Sequence, residues 1–165
     1  MFSEVDAAVK TAQSSSKKVS DLKNHTGFWL RFVSNHVSYR FAQRLEATRV
    51  TVAEWVILRK MFDGDVTSPS VLAKKTGLTR GAVSKLIDRL LRKELVRRAE
   101  AAGDRRFQDI ALTAEGRAIV PRLAAIADEN DEEFFRHLSA NERVSLVATL
   151  KKLVSKNNLG KMPIE

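Results

Sequence analysis

Thr79, Arg80, Ser84, Lys85 and Arg89 crowd one short stretch of this chain, with Ser68 and Ser70 just before it and the triplet Asp104-Arg105-Arg106 just after. These are hydroxyls and fixed cations. The planar fork of an arginine matches the two acceptors on the major-groove edge of guanine. Hydroxyls and the free amides of a helix start suit phosphate oxygens. Arginines at a hairpin tip suit the negative potential of a narrow minor groove. Asp104 is placed to hold one of the neighbouring guanidinium groups in a charge-assisted pair. Side chains of these types, in this order, read as a surface for duplex DNA. Taken singly, each cation would be an ordinary solvated side chain and the triplet a surface ion pair of little worth.

The elements that must hold these residues are legible from caps and periodicity. Ser68-Pro69 opens a helix, with a capping serine and proline at the first helical position, where its missing N–H costs nothing. Gly77 closes it, and Thr79 caps a second helix over 80–93. In that helix Val83, Ile87, Leu90 and Leu91 are expected inside, leaving Arg80, Ser84, Lys85, Arg89 and Arg92 outside. Ala73 is small enough to let the two helices approach. Residues 95–99 and 106–112 then predict a two-stranded hairpin, with Ile110 and Leu112 alternating toward the core. Helix, tight turn, helix and hairpin make a winged helix-turn-helix, in which the second helix enters a major groove.

Further helices flank this unit. An apolar stripe of Phe28, Trp29, Phe32, Val33, Val37, Phe41 and Leu45 predicts a helix over 27–46. Thr51-Val52-Ala53-Glu54 is a capping box for a helix over 52–62 that buries Trp55, Leu58 and Phe62 and ends at Asp63-Gly64-Asp65. Thr113 caps a long helix to about 138, which Pro121 should kink. Ser139-Ala140-Asn141-Glu142 is a second capping box, for a helix to 156 with Val144, Val147, Leu150, Leu153 and Val154 on one seam. The expected class is mainly α with a small β-hairpin wing (α+β). Its regions are an arm or loosely docked helix over 1–26, a dimerisation helix over 27–50, the winged unit over 51–112, dimerisation helices over 113–156 and a frayed tail over 157–165, all in one structural domain.

The 165 residues carry 29 Lys+Arg against 20 Asp+Glu, a formal net charge of +9. The excess sits on the winged unit: 79–106 hold nine cations and four anions, whereas 113–150 hold four and seven. A basic reading unit beside an acidic helical region fits a nucleic-acid partner better than a uniformly basic surface would. There is no cysteine, which removes disulfides, thiolate metal sites and thiol switches. His25, His36 and His137 lack close-spaced partners for a metal site. No apolar run approaches the about 20 residues of a membrane helix. No nucleophile–base pair or phosphate-cradling glycine loop is present, so an enzyme is not expected, and neither is a cofactor.

Several motifs together resemble one family. Thr51-x-x-x-Trp55-x-x-Leu58 is followed by Leu72-Ala73-x-x-Thr76-Gly77-Leu78-Thr79-x-Gly81-x-Val83-Ser84-x-Leu86-Ile87-Asp88-Arg89-Leu90. Then come Leu95-Val96-x-Arg98, Asp104-Arg105-Arg106 and Leu112-Thr113-x-x-Gly116. Over residues 27–155 this order is similar to that of MarR-type transcriptional regulators. The resemblance implies a triangular homodimer whose interface is made by the first and the last two helices. It implies a roughly palindromic operator and, for many members, release from DNA when a small aromatic or phenolic molecule binds. By motif position Arg80, Ser84 and Lys85 would be groove contacts, and Asp104 and Arg106 a pair in the wing. Glu94 departs from the pattern, which usually has glycine there; a left-handed glutamate costs on the order of 1 kcal/mol.

Trp29, Phe32, His36 and Trp55 are the candidates for an effector pocket, because two indoles and an imidazole near cations suit an aromatic anion. Plain core packing would use the same residues. The flanking helices also carry more apolar positions than one small winged unit can cover, which points to pairing with a second copy. The expected protein is a cytoplasmic, homodimeric, effector-responsive regulator of transcription, a repressor, with no membrane partner. The alternative is an effector-independent architectural DNA-binding protein of low sequence specificity.

Overall fold

The computed structural model describes residues 19–64, 66–99 and 109–159. They fall into two compact units that divide between Val33 and Ser34. In the first, Asp21 accepts the Lys23 amide and starts a 3-10 turn at Leu22–Asn24. Helix α1, Thr26–Leu45, then begins. Trp29 Nε1 donates to the Lys23 carbonyl at 2.9 Å, and Phe28 stacks on Phe32 with ring centroids 6.0 Å apart.

The second unit holds the rest of α1 and all the remaining elements. These are α2 (Val52–Phe62), β1 (Val66–Thr67), α3 (Pro69–Thr76), α4 (Arg80–Arg92), β2 (Val96–Ala99), β3 (Asp109–Leu112), α5 (Ala114–Phe135) and α6 (Ala140–Lys156). The expected caps are in place. Thr51 and Ser139 each make a full capping box, and Ser68, Thr79 and Thr113 each accept an amide of the first turn of the helix they precede. α5 runs past Pro121 as one helix and stops at Phe135, a little short of the expected 138.

Helix α2 lies at the centre of this unit, packed on α3, α4, α5 and β3. It therefore buries a wider face than the sequence predicts: Ile57 and Met61 join Leu58, while Trp55 and Phe62 are only partly buried at the margin. Leu45, Leu72, Val83, Leu90, Val120 and Leu123 complete the core without exposed surface or nearly so. The sheet is a second correction. It has three antiparallel strands in the order β1-β3-β2, not two, with Val66 opposite Ala111 and Val96 opposite Leu112. β3 is central, so Ile110, Ala111 and Leu112 are all buried and the expected alternation is lost. A two-residue strand has no periodicity to detect, which is why β1 escapes a sequence reading.

Two apolar surfaces remain open. Val144, Val147, Leu150, Leu153 and Val154 of α6 are 39–70% exposed, and α6 buries no residue at all. In the first unit Trp29 and Phe32 are each about half exposed. No helix among the described residues is long and apolar enough to cross a membrane.

Candidate nucleic-acid interface

The interface is built on the turn between α3 and α4. Gly77 sits there at φ 75°, the left-handed conformation glycine adopts without penalty, and its amide donates to the Ala73 carbonyl at 3.0 Å. The buried Thr76 hydroxyl donates to the Leu72 carbonyl at 2.7 Å and accepts the Leu78 amide, which tightens the same turn. Thr79 then accepts the Ala82 amide at 3.1 Å and starts α4 in a new direction.

Helix α4 is sharply two-faced. Val83, Leu86, Ile87 and Leu90 are buried, and Arg80, Ser84, Lys85, Arg89 and Arg92 are exposed. Leu91, expected inside, is partly buried at the boundary, and Leu86 takes its place in the core. Thr79 is exposed, whereas Ser68 and Ser70 are half-buried. The oxygens of Ser68 and Thr79 are used as caps, which leaves their O–H groups to act as donors. Asp88 apart, the exposed face is thus a row of cations and hydroxyls without an apolar patch, which suits a phosphate-lined groove.

Other cations extend this surface. Lys74 and Lys75 on α3, and Arg97 and Arg98 on β2, are exposed. Of these four, sequence patterning marks Arg98 alone and gives none of them a contact role. The signal for them is the Arg97-Arg98 pair beside a basic helix. On an edge strand of so small a sheet both stay open. Asp104, Arg105 and Arg106 lie outside the described residues, as does Asp65; β2 and β3 lead toward the triplet from either side.

Glu94 adopts φ 58° despite its side chain. The left-handed residue lets the Leu95 amide donate back to the Leu90 carbonyl at 3.0 Å, closing α4. The Glu94 carbonyl accepts the Thr113 hydroxyl at 2.7 Å, so the strained peptide is held at the start of α5. Nearby, the fully buried Glu54 accepts the Lys93 ammonium at 2.6 Å and the Thr51 amide at 2.8 Å. Burial pushes the Glu54 carboxyl up. The hydrogen bonds from Lys93 and Thr51, with the charge of Lys93, outweigh that and hold it below the ordinary value. Sequence reading found Glu54 as half of a capping box and missed its ion pair.

The four effector-pocket candidates are placed as follows. Trp29 and Phe32 belong to the first unit. His36 is exposed on α1, and Trp55 packs on the margin of the core of the second unit. Among the described residues, no three His, Cys, Asp or Glu side chains converge as metal ligands.

The fold and this surface define a winged helix-turn-helix DNA-binding protein. A family model described as the MarR family matches residues 50–106, a stretch that takes in both helices of the motif and the Asp104-Arg105-Arg106 triplet. The transcriptional repressor NicR of Pseudomonas putida is 28% identical over 141 residues, covering 85% of this chain and 89% of NicR. Among solved structures, a mutant MarR from E. coli complexed with operator DNA is 26% identical. It covers 82% of this chain and 99% of its own, with a TM-score of 0.75. Bordetella bronchiseptica BpsR, described as regulated in DNA binding by 6-hydroxynicotinic acid, has the same identity and TM-score and covers 98% of its own chain. The chain is similar to MarR-family transcriptional regulators, and the relatives it matches are regulators rather than enzymes.

Proposed function

We propose that this protein is a homodimeric repressor that binds a pseudo-palindromic operator and leaves it when a small aromatic molecule binds. The observation that carries the DNA-reading part is the outward face of α4, where Arg80, Ser84, Lys85 and Arg89 are exposed opposite a fully buried apolar face. Arg80 and Lys85 address base edges in the major groove, while Thr79, Ser84, Ser68 and Ser70 address phosphates. Arg89 lies farther along the same face and reaches the flanking backbone. Asp104, Arg105 and Arg106 form the wing contact to the adjacent minor groove.

A second copy, seated on the open seam of α6, would set two α4 helices about one helical turn apart. An effector acts by favouring the dimer form in which that spacing is wrong, and so shifts the population off DNA. BpsR and its hydroxynicotinic acid support an aromatic effector here.

The test is binding of the purified protein to DNA upstream of its own gene and to scrambled DNA of equal length, at two salt concentrations. A preference of about a thousandfold or more for the native sequence is expected. Equal and steeply salt-dependent binding to both would instead mark an architectural protein held by phosphates alone.

A further inference from the structure

Lys93 caps the C-terminal end of α4, one residue past Arg92, and its side chain is not among the groups assigned above to DNA. Its ammonium reaches back to the start of α2, where it donates to Glu54 Oε2 and to the Arg49 carbonyl, each at 2.6 Å. Arg49 is itself left-handed at φ 57° and closes the turn that leads from α1 to α2. That turn is pinned in place: the Thr48 hydroxyl donates to the Leu45 carbonyl at 2.6 Å and accepts the Val50 amide. On the other side of Lys93, Glu94 is tied to Thr113, and the Leu95 carbonyl lies so close to Gly116 that a Cβ there would come within 1.8 Å of it. The tail of α4 is therefore fixed at two places. One is the α1–α2 junction, through an ion pair, and the other is the start of α5, through backbone contacts.

The choice of a charge for the first of these ties is informative. Glu54 is fully buried, and its Oε1 has no hydrogen-bond partner among the described residues. A buried ion pair is a poor way to gain stability compared with apolar side chains of similar volume, but it is directional. α4 has 13 residues, so at 1.5 Å each its basic head lies about 20 Å from Lys93. A tilt of about 10° at the tail would move the head by about 3.4 Å, one base-pair step along a duplex strand.

We propose that Lys93 is a positioning residue for operator recognition: through Glu54 and the Arg49 carbonyl it sets the angle of α4, and so the half-site spacing the dimer accepts. This rests on reading α4 as the helix that enters the major groove.

The probes are duplexes selected by the wild-type protein from a randomised pool. The same half-sites are then moved one or two base pairs apart or together, and a random duplex serves as the non-specific reference. Lys93→Met is expected to lose about tenfold in affinity for the selected site and to discriminate less among spacings. Its affinity for random DNA, and the salt dependence of that affinity, should match wild type. Glu54→Gln keeps an acceptor for both donors and should keep most of the spacing preference. Because Lys93→Met strands a buried carboxylate, the double variant Glu54→Leu/Lys93→Met is measured as well; it removes both charges and should show the same relaxed spacing.

Wild-type spacing preference in the folded double variant overturns the proposal. So does a salt slope on random DNA that is shallower by about one charge in Lys93→Met, which would make Lys93 a phosphate contact. Arg80→Ala separates the two levels. If it loses site preference while the Lys93 variants do not, the positioning role alone fails. If Arg80→Ala and the Lys93 variants all behave as wild type, the assignment of α4 as the reader fails too.

Discussion

Glu54 has no contact with solvent and yet keeps its negative charge, because the Lys93 ammonium and the bonds from Thr51 outweigh the cost of burial. Its folded value lies below the ordinary 4.5. The stability it contributes is therefore present above about that pH and is lost as the pH falls through the folded value. Thermal melts of wild type and Glu54→Gln from about pH 6 down to 3 should show a gap in midpoint that narrows toward the acid end. A constant gap would mean that the carboxylate does not titrate with folding. On the outward face, Arg80→Ala should relax base preference, whereas Arg92→Ala should weaken all sequences more evenly. Binding to a panel of single-base operator variants tests this, and equal losses for both mutants would end the division of labour. The cations of α4 were legible because cap and period fixed which way they point. The Lys93–Glu54 pair was not, since 39 residues separate its members and neither carries a spacing signal toward the other.

At the scale of elements, the helix boundaries follow from local chemistry. The five N-caps read from the sequence are all observed, because each uses its own side chain on an amide three residues away. Thr79→Ala should cost about 1 kcal/mol in a denaturant melt. Gly116 is different. It lies in the first turn of α5 against the Leu95 carbonyl, where a Cβ would meet backbone and not a side chain that could swing away. Gly116→Ala should cost about 3 kcal/mol or more, or shift α5 off the wing. A melt of that variant within about 1 kcal/mol of wild type would show that the contact yields freely. What could not be read was tertiary. β1 is too short to carry a pattern, and the burial of all of Ile110, Ala111 and Leu112 depends on β3 lying between two neighbours. The left-handed Glu94 was legible only as a conflict, resolved in the structure by the bond from Thr113.

At the scale of the molecule, the described chain leaves an apolar seam that its own fold does not use. Leu150 is 39% exposed and Val147 48%. Leu150→Glu should shift sedimentation from dimer toward monomer and weaken operator binding in parallel, since each half-site is then held by one reading head. A variant that stays dimeric at micromolar concentration would move the interface elsewhere. α6 begins with a complete capping box but ends without a single buried side chain. A 17-residue helix held by its cap and by the Arg143 bonds to Glu132 and the Phe135 carbonyl, with no side chain buried, is marginal in water. Its order is then owed to whatever lies across it, and by mass action that debt depends on how many copies are present. Diluting the protein should lower its melting temperature, so that its resistance to heat becomes a gauge of its own abundance.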